Sequence, residues 1–195
     1  EMSVYDEGKK RLTNLLQWRE TQEYHSICAY NQAECERLIN IGKEYTIAVR
    51  GRESIIKGNA IRVEYATFGD IHRGFYCPSP VLDIIIGNVT RGRLLKKVNS
   101  SSKINYRYGF DKNNDLIYVE TLQGDEITST EFIMCRGNTC LGISINAGFE
   151  LEAVSEEVFE SNKLVRYSYV SVYPDQHGYF CDKLHVETYS YDDQG

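Results

Sequence analysis

The chain has 195 residues, 42% hydrophobic and 26% charged, with a net charge of −6 and a pI near 5.3. That composition excludes disorder and provides for one sizeable core. The acidic balance speaks against a nucleic-acid binder, which needs a basic footprint, and no apolar run reaches membrane-spanning length.

Residues 4–23 carry an amphipathic helical pattern through Val4, Tyr5, Leu12, Leu15, Leu16 and Arg19. A second helix is expected from Asn31, with Glu34 completing a capping box, Cys35, Leu38 and Ile39 on its apolar face and Gly42 as its stop. From Glu44 the period changes to that of strands. Tyr45, Ile47 and Val49 alternate, and so do Ile61, Val63 and Tyr65. Residues 69–80 read as a loop with two glycines and Pro78/Pro80. The run 81–86 suits a buried strand partnered by 94–98, with helix as the competing reading over 81–98.

Hairpins dominate the rest. Residues 106–110 pair with 116–122, 130–135 with 140–145 and 154–159 with 164–173, and a last pair fills 179–191. Each turn is rich in Asn, Asp, Gly or Ser. Fifteen tyrosines against one tryptophan also favour pleated, half-buried surfaces. The expectation is one α+β domain spanning 1–195, helical over about 1–43 and β-rich over 44–195. Its N-terminal helices cover a mostly antiparallel β-meander.

No constellation reaches the standard of an active site. There is no G-x-S-x-G elbow, no P-loop and no G-x-G-x-x-G, and Cys28 beside His25 is only a sequence neighbour. His177, Cys181 and His185 recur every four residues, a spacing that shares one face of a strand. They read as a turn histidine and two packing residues, and a metal site there is the alternative. Cys135 and Cys140 flank a turn and are expected as free thiols, as are the other cysteines, in a reducing cytoplasm. The two Arg-Gly-Arg triplets read as solvated hairpin turns. Glu120, Glu131, Glu150, Glu152 and Glu187 fall in or near strands and are expected to mark the solvent face. No cofactor is implied.

Two segments, Tyr106-x-Tyr108-x-Phe110-Asp111-x-Asn113-Asn114-x-Leu116 and Tyr189-x-Tyr191-Asp192-x-x-Gly195, resemble the tyrosine–aspartate repeats of bacterial toxin shells. They depart from that pattern at Gly109, which precedes the Phe-Asp pair, and hairpin chemistry is what they hold in common with it. The wider layout of helices followed by irregular Tyr-rich hairpins resembles immunity proteins of bacterial polymorphic toxin systems. That resemblance implies a cytoplasmic, non-catalytic protein that neutralises a cognate, basic toxin domain by direct binding. Asp111, Asp115, Asp175, Tyr189, Tyr191, Asp192 and Asp193 are then the expected contacts. The competing readings are a hydrolase or metal-dependent enzyme at His177/Cys181/His185, and a domain enclosing a small ligand.

Overall fold

The computed structural model describes residues 4–82, 91–99, 101–176 and 178–192. The chain forms two compact units, residues 1–37 and 38–195. Helix α1 (Val4–Arg19) and the first half of helix α2 (Gln22–Val49) make up the first unit. Thr21 joins them: its Oγ1 donates to Trp18 O at 2.6 Å and accepts the Tyr24 amide at 3.2 Å. The Trp18 and Tyr24 rings meet edge to face at 4.9 Å.

Helix α2 overturns two expectations. It starts before Asn31, and it runs through Gly42 to Val49, absorbing the strand expected at 45–49. The reason is visible in burial. Leu38, Ile39, Gly42, Thr46 and Val49 are buried at helical spacing. A strand would have put Ile47 and Val49 on one face, yet Ile47 is 77% exposed and Val49 only 2%. Gly42 does not end the helix; it lets the helix approach the sheet. A Cβ there would fall 2.5 Å from Val154 Cγ2 and 2.7 Å from Leu151 Cδ2. A short helix α3 (Glu53–Gly58) follows, so helix continues past residue 43.

Among the described residues the strands form one nine-stranded antiparallel sheet in the order β2-β1-β3-β4-β5-β6-β7-β8-β9. Strand β1 is Arg62–Thr67, β2 Arg93–Leu94, β3 Tyr106–Phe110, β4 Leu116–Gln123 and β5 Glu126–Arg136. Strand β6 is Thr139–Asn146, β7 Leu151–Glu160, β8 Lys163–Asp175 and β9 Gly178–Thr188. The three predicted hairpins between 106 and 173 are present. Residues 179–191 do not form a pair of their own: β9 is a single strand against β8. The strand expected at 81–86 lies almost wholly outside the described residues, and Leu94 pairs with Ala66 of β1.

Register assigns the two faces. One carries Phe132, Ile143, Val154 and Val170 in one cross-strand rung and is covered by the end of α2 and by α3. On it, Lys57 of α3 bonds buried Glu120 at 2.5 Å. The opposite face carries Tyr106, Tyr108, Phe110, Val119 and Ile133, clustered with Ala66. Residues 68–82 cross this face as a strap, with Tyr106 OH donating to Gly69 O at 3.0 Å and Tyr108 OH to Arg73 O at 3.0 Å. Tyr106, Tyr108, Tyr118 and Tyr167 are therefore core residues.

Cys135 and Cys140 are disulfide-bonded, not free. They are directly opposed on β5 and β6, with Cα atoms 4.0 Å apart. That is the narrow spacing of a non-hydrogen-bonded antiparallel pair, below the average from which free thiols are expected. The loop it closes is short, so a Cys135→Ser/Cys140→Ser variant is expected to lose about 2 kcal/mol at most. Urea denaturation with and without reductant measures this, and a loss above ~4 kcal/mol would contradict the assignment.

Candidate functional site

Beneath the strap lies a buried ionic network that the sequence does not announce. Arg73 is 5% exposed and sits in the left-handed region at φ +59°. Its Nε donates to Glu131 Oε2 and its Nη2 to Glu131 Oε1, each at 2.9 Å, in a two-pronged pair. Nη1 reaches Glu157 Oε1 at 2.5 Å and Nη2 also reaches Ser155 Oγ at 2.9 Å. His72 bonds Glu131 Oε2 through Nε2 at 3.0 Å and Tyr167 OH through Nδ1 at 2.7 Å. A carboxylate only accepts, so Nε2 carries a proton and donates to Glu131.

Burial pushes the Glu131 carboxyl up, but Arg73 and His72 outweigh it and hold the group well below the ordinary 4.5. Glu120 is similar: burial raises it, and hydrogen bonds from Arg107 and Lys57 pull it below 4.5. The expectation that strand glutamates face solvent fails here. Glu120, Glu131 and Glu187 are buried. Glu150 is exposed and Glu152 half-buried.

The sign of the pH dependence follows. A carboxylate with a lowered folded pKa contributes stability that is complete above its unfolded value and is lost as pH falls below it. Unfolding free energy is therefore expected to decline below pH 4.5. In Glu131→Gln that acid slope should be shallower. Urea midpoints across pH 3–7 measure it, and an unchanged slope would remove Glu131 from the account.

The expected partner contacts are dispersed. Asp111 and Asp115 lie in the β3–β4 turn, where Asp111 Oδ1 accepts the amides of Asn113 at 2.8 Å and Asp115 at 3.0 Å. Tyr189, Tyr191 and Asp192 follow β9 at that same end of the sheet, five strands away, or roughly 24 Å at ordinary strand spacing. Tyr191 OH donates to Leu164 O at 2.6 Å, and Lys163 sits over its ring at 4.9 Å, so this tyrosine pins the β7–β8 hairpin. Asp175 is the last residue of β8, beside the β8–β9 turn at the opposite end. Asp193 lies outside the described residues.

That opposite end gathers a different set. The segment after β1 and the turns β4–β5, β6–β7 and β8–β9 all lie there. They display Phe68, Ile127, Phe149, Tyr173 and Phe180, all exposed. Phe68 and Phe149 are each at φ +62°, a conformation that bulky residues rarely adopt. The β6–β7 turn is held by Asn146, whose Oδ1 accepts Gly148 N at 2.8 Å and Glu150 N at 3.0 Å, and Arg50 donates to Phe149 O at 3.2 Å. The three turns contribute Asp125, Glu126, Glu150 and Asp175, and no lysine or arginine. These exposed apolar residues and turn carboxylates share one end surface of the sheet, with Arg50 beside Phe149. The Gly-Phe-Glu step at 148–150 was its one legible signal, an aromatic residue inside a turn.

The metal reading does not assemble from the described residues. Val172 opposes Cys181 and Tyr169 opposes His185, so a bulge between them turns Cys181 and His185 to opposite faces. His185 Nε2 bonds Glu187 Oε1, and His177 lies outside the described residues. No group of three metal-ligating side chains occurs among the described residues. None of the described helices is long and apolar enough to cross a membrane. No protein-family model matches the chain, and neither a curated protein nor a solved structure matches it.

Proposed function

We propose that this chain is a non-catalytic binding protein of the immunity type, which neutralises a basic toxin domain by occupying it. The observation that carries this reading is the turn end of the sheet, where Phe68, Ile127, Phe149, Tyr173 and Phe180 stand exposed. Large apolar residues cost free energy in water, and two of these are held out by left-handed backbone. Carboxylates on the same turns, within a chain of net charge −6, favour a partner of opposite sign through faster encounter. The buried carboxylates support the non-catalytic half of the reading. Cations hold the Glu131 and Glu120 carboxyls below the ordinary carboxylate range, whereas acid–base catalysis favours a pKa near the working pH.

Co-expression with a basic toxin domain, taken from the gene beside this chain where one is encoded there, tests the proposal by growth rescue and co-purification. Phe149→Ala and Phe180→Ala are each expected to weaken the complex by about 2 kcal/mol, the scale of an interface anchor. Asp125→Lys with Glu126→Lys should chiefly slow association, most at low salt. Asp111→Asn and Asp192→Asn, at the far end, should leave binding intact. Rescue that is indifferent to Phe149, Phe180 and the turn carboxylates would overturn the assignment of this surface. A neighbouring domain that kills cells regardless would overturn the immunity reading itself.

A further inference from the structure

On the strap face, a recess of about 620 Å³ opens beside His72. Its volume is that of a small-molecule site. The wall is aromatic and fixed in place. The Tyr169 ring lies 4.6 Å from the His72 ring, and Tyr167 lies 6.1 Å from both His72 and His185. Both His72 nitrogens are already taken, by Glu131 and Tyr167. His72 therefore offers the recess ring surface and not a hydrogen bond.

The mouth carries charge in an arrangement that a regular strand forbids. Consecutive strand residues point to opposite faces, yet Asp182 bonds Ser171, the residue directly opposed to Lys183, and both line this recess. The cause is the bulge in β9. Ser171 opposes Lys183 and Val172 opposes Cys181, which leaves Asp182 without a cross-strand partner. The Asp182 carboxylate then accepts a hydrogen bond from Ser171 Oγ at 3.2 Å. Bulges of this kind re-aim side chains beside binding sites. The result is one carboxylate and one ammonium contributed by adjacent residues, with the Asp70 carboxylate lining the same recess.

We infer that this recess binds a free aromatic α-amino acid. The flat side chain lies against the rings of Tyr169 and His72, the ligand's ammonium pairs with Asp182, and its carboxylate pairs with Lys183. Such a ligand carries both charges on one carbon, matching two charges contributed by adjacent residues. A ligand without an ammonium adds nothing to meet Asp182 or Asp70, one without a carboxylate adds nothing to meet Lys183, and one without a ring leaves the aromatic wall uncovered. The site uses neither the exposed turn aromatics nor a partner protein, so its test is independent of the immunity reading.

Calorimetric titration of the full chain with L-tryptophan and L-phenylalanine is the test. Glycine, phenethylamine and hydrocinnamate serve as probes lacking the ring, the carboxylate and the ammonium. Saturable one-to-one binding of the aromatic amino acids is expected, about tenfold or more tighter than each probe. Asp182→Asn and Lys183→Gln alter exposed side chains and should each weaken it by about tenfold. Lys183→Gln should leave the weak phenethylamine affinity unchanged, because that probe has no carboxylate for Lys183 to meet. No saturable binding up to about 10 mM, or binding indifferent to both variants, would overturn the inference. So would probes that bind as tightly as the amino acids.

Discussion

Arg73→Met is expected to lower the unfolding free energy by about 3–5 kcal/mol, the usual cost of removing one partner from a buried ion pair. The guanidinium bonds both Glu131 and Glu157, and Ser155 as well. Removing it takes the guanidinium from two buried carboxylates, leaving Glu131 only His72 and Ser155. Burial alone would lower the Arg73 pKa, yet Glu131 and Glu157 together raise it, so the cation persists at any attainable pH. The same contacts maintain the strap. Arg73 occupies left-handed backbone, a conformation costing about 1–3 kcal/mol that survives only where its surroundings over-determine it. Urea denaturation at pH 7 measures the loss. Combining Arg73→Met with Glu131→Gln should cost less than the two single changes added, because the carboxylate stranded by the first is neutralised by the second. A loss under ~1 kcal/mol for Arg73→Met would mean that the network contributes nothing net.

Gly142→Ala provides a test of sign. A glycine in a strand interior is ordinarily improved by alanine, by about 0.5–1 kcal/mol. Here a Cβ would overlap Glu131 Oε1 and Ser155 Oγ and fall 2.5 Å from Arg73 Nη2. All three atoms are committed to one another, so none moves away cheaply. Destabilisation of about 1–3 kcal/mol is expected, the cost of overpacking a filled site. Gly58→Ala, which meets nothing within 4 Å, is the control and should not destabilise. A Gly142→Ala protein at least as stable as its parent would show that the network is loosely packed. Thermal and urea unfolding of both variants decide between these outcomes.

The three hairpins between 106 and 173 were legible because their signals are local. Alternation sets which residues share a face, and Asx- and Gly-bearing turns set where the chain reverses. Lys112-Asn113-Asn114 and Gly137-Asn138 needed no knowledge of the rest of the fold. The segment 45–49 was misleading for the same reason. Alternation over five residues suits a strand, but burial of Leu38, Gly42, Thr46 and Val49 against the sheet decides for helix, and that surface lies about a hundred residues away in the chain. Where the expected partner residues lie relative to one another was not legible. Aspartates in turns are easily found, but Asp111 is occupied by its own turn, and the ends of strands far apart in sequence determine which turns lie together.

The candidate sites were less legible still. A glutamate in a strand reads as solvent-facing unless its cation is known, and Glu131 meets Arg73 from 58 positions earlier in the chain. Likewise, His177, Cys181 and His185 share a face only in a regular strand, and a one-residue bulge separates Cys181 from His185.

By itself the sequence determined an α+β chain, its acidic charge and the register of its central hairpins, because periodicity and turn chemistry act over a few residues. Only the tertiary structure decided which glutamates are buried, which turns form one surface and which charges share the recess. Ion pairing, close packing and bulge geometry depend on groups brought together across the whole chain, and no local pattern records them.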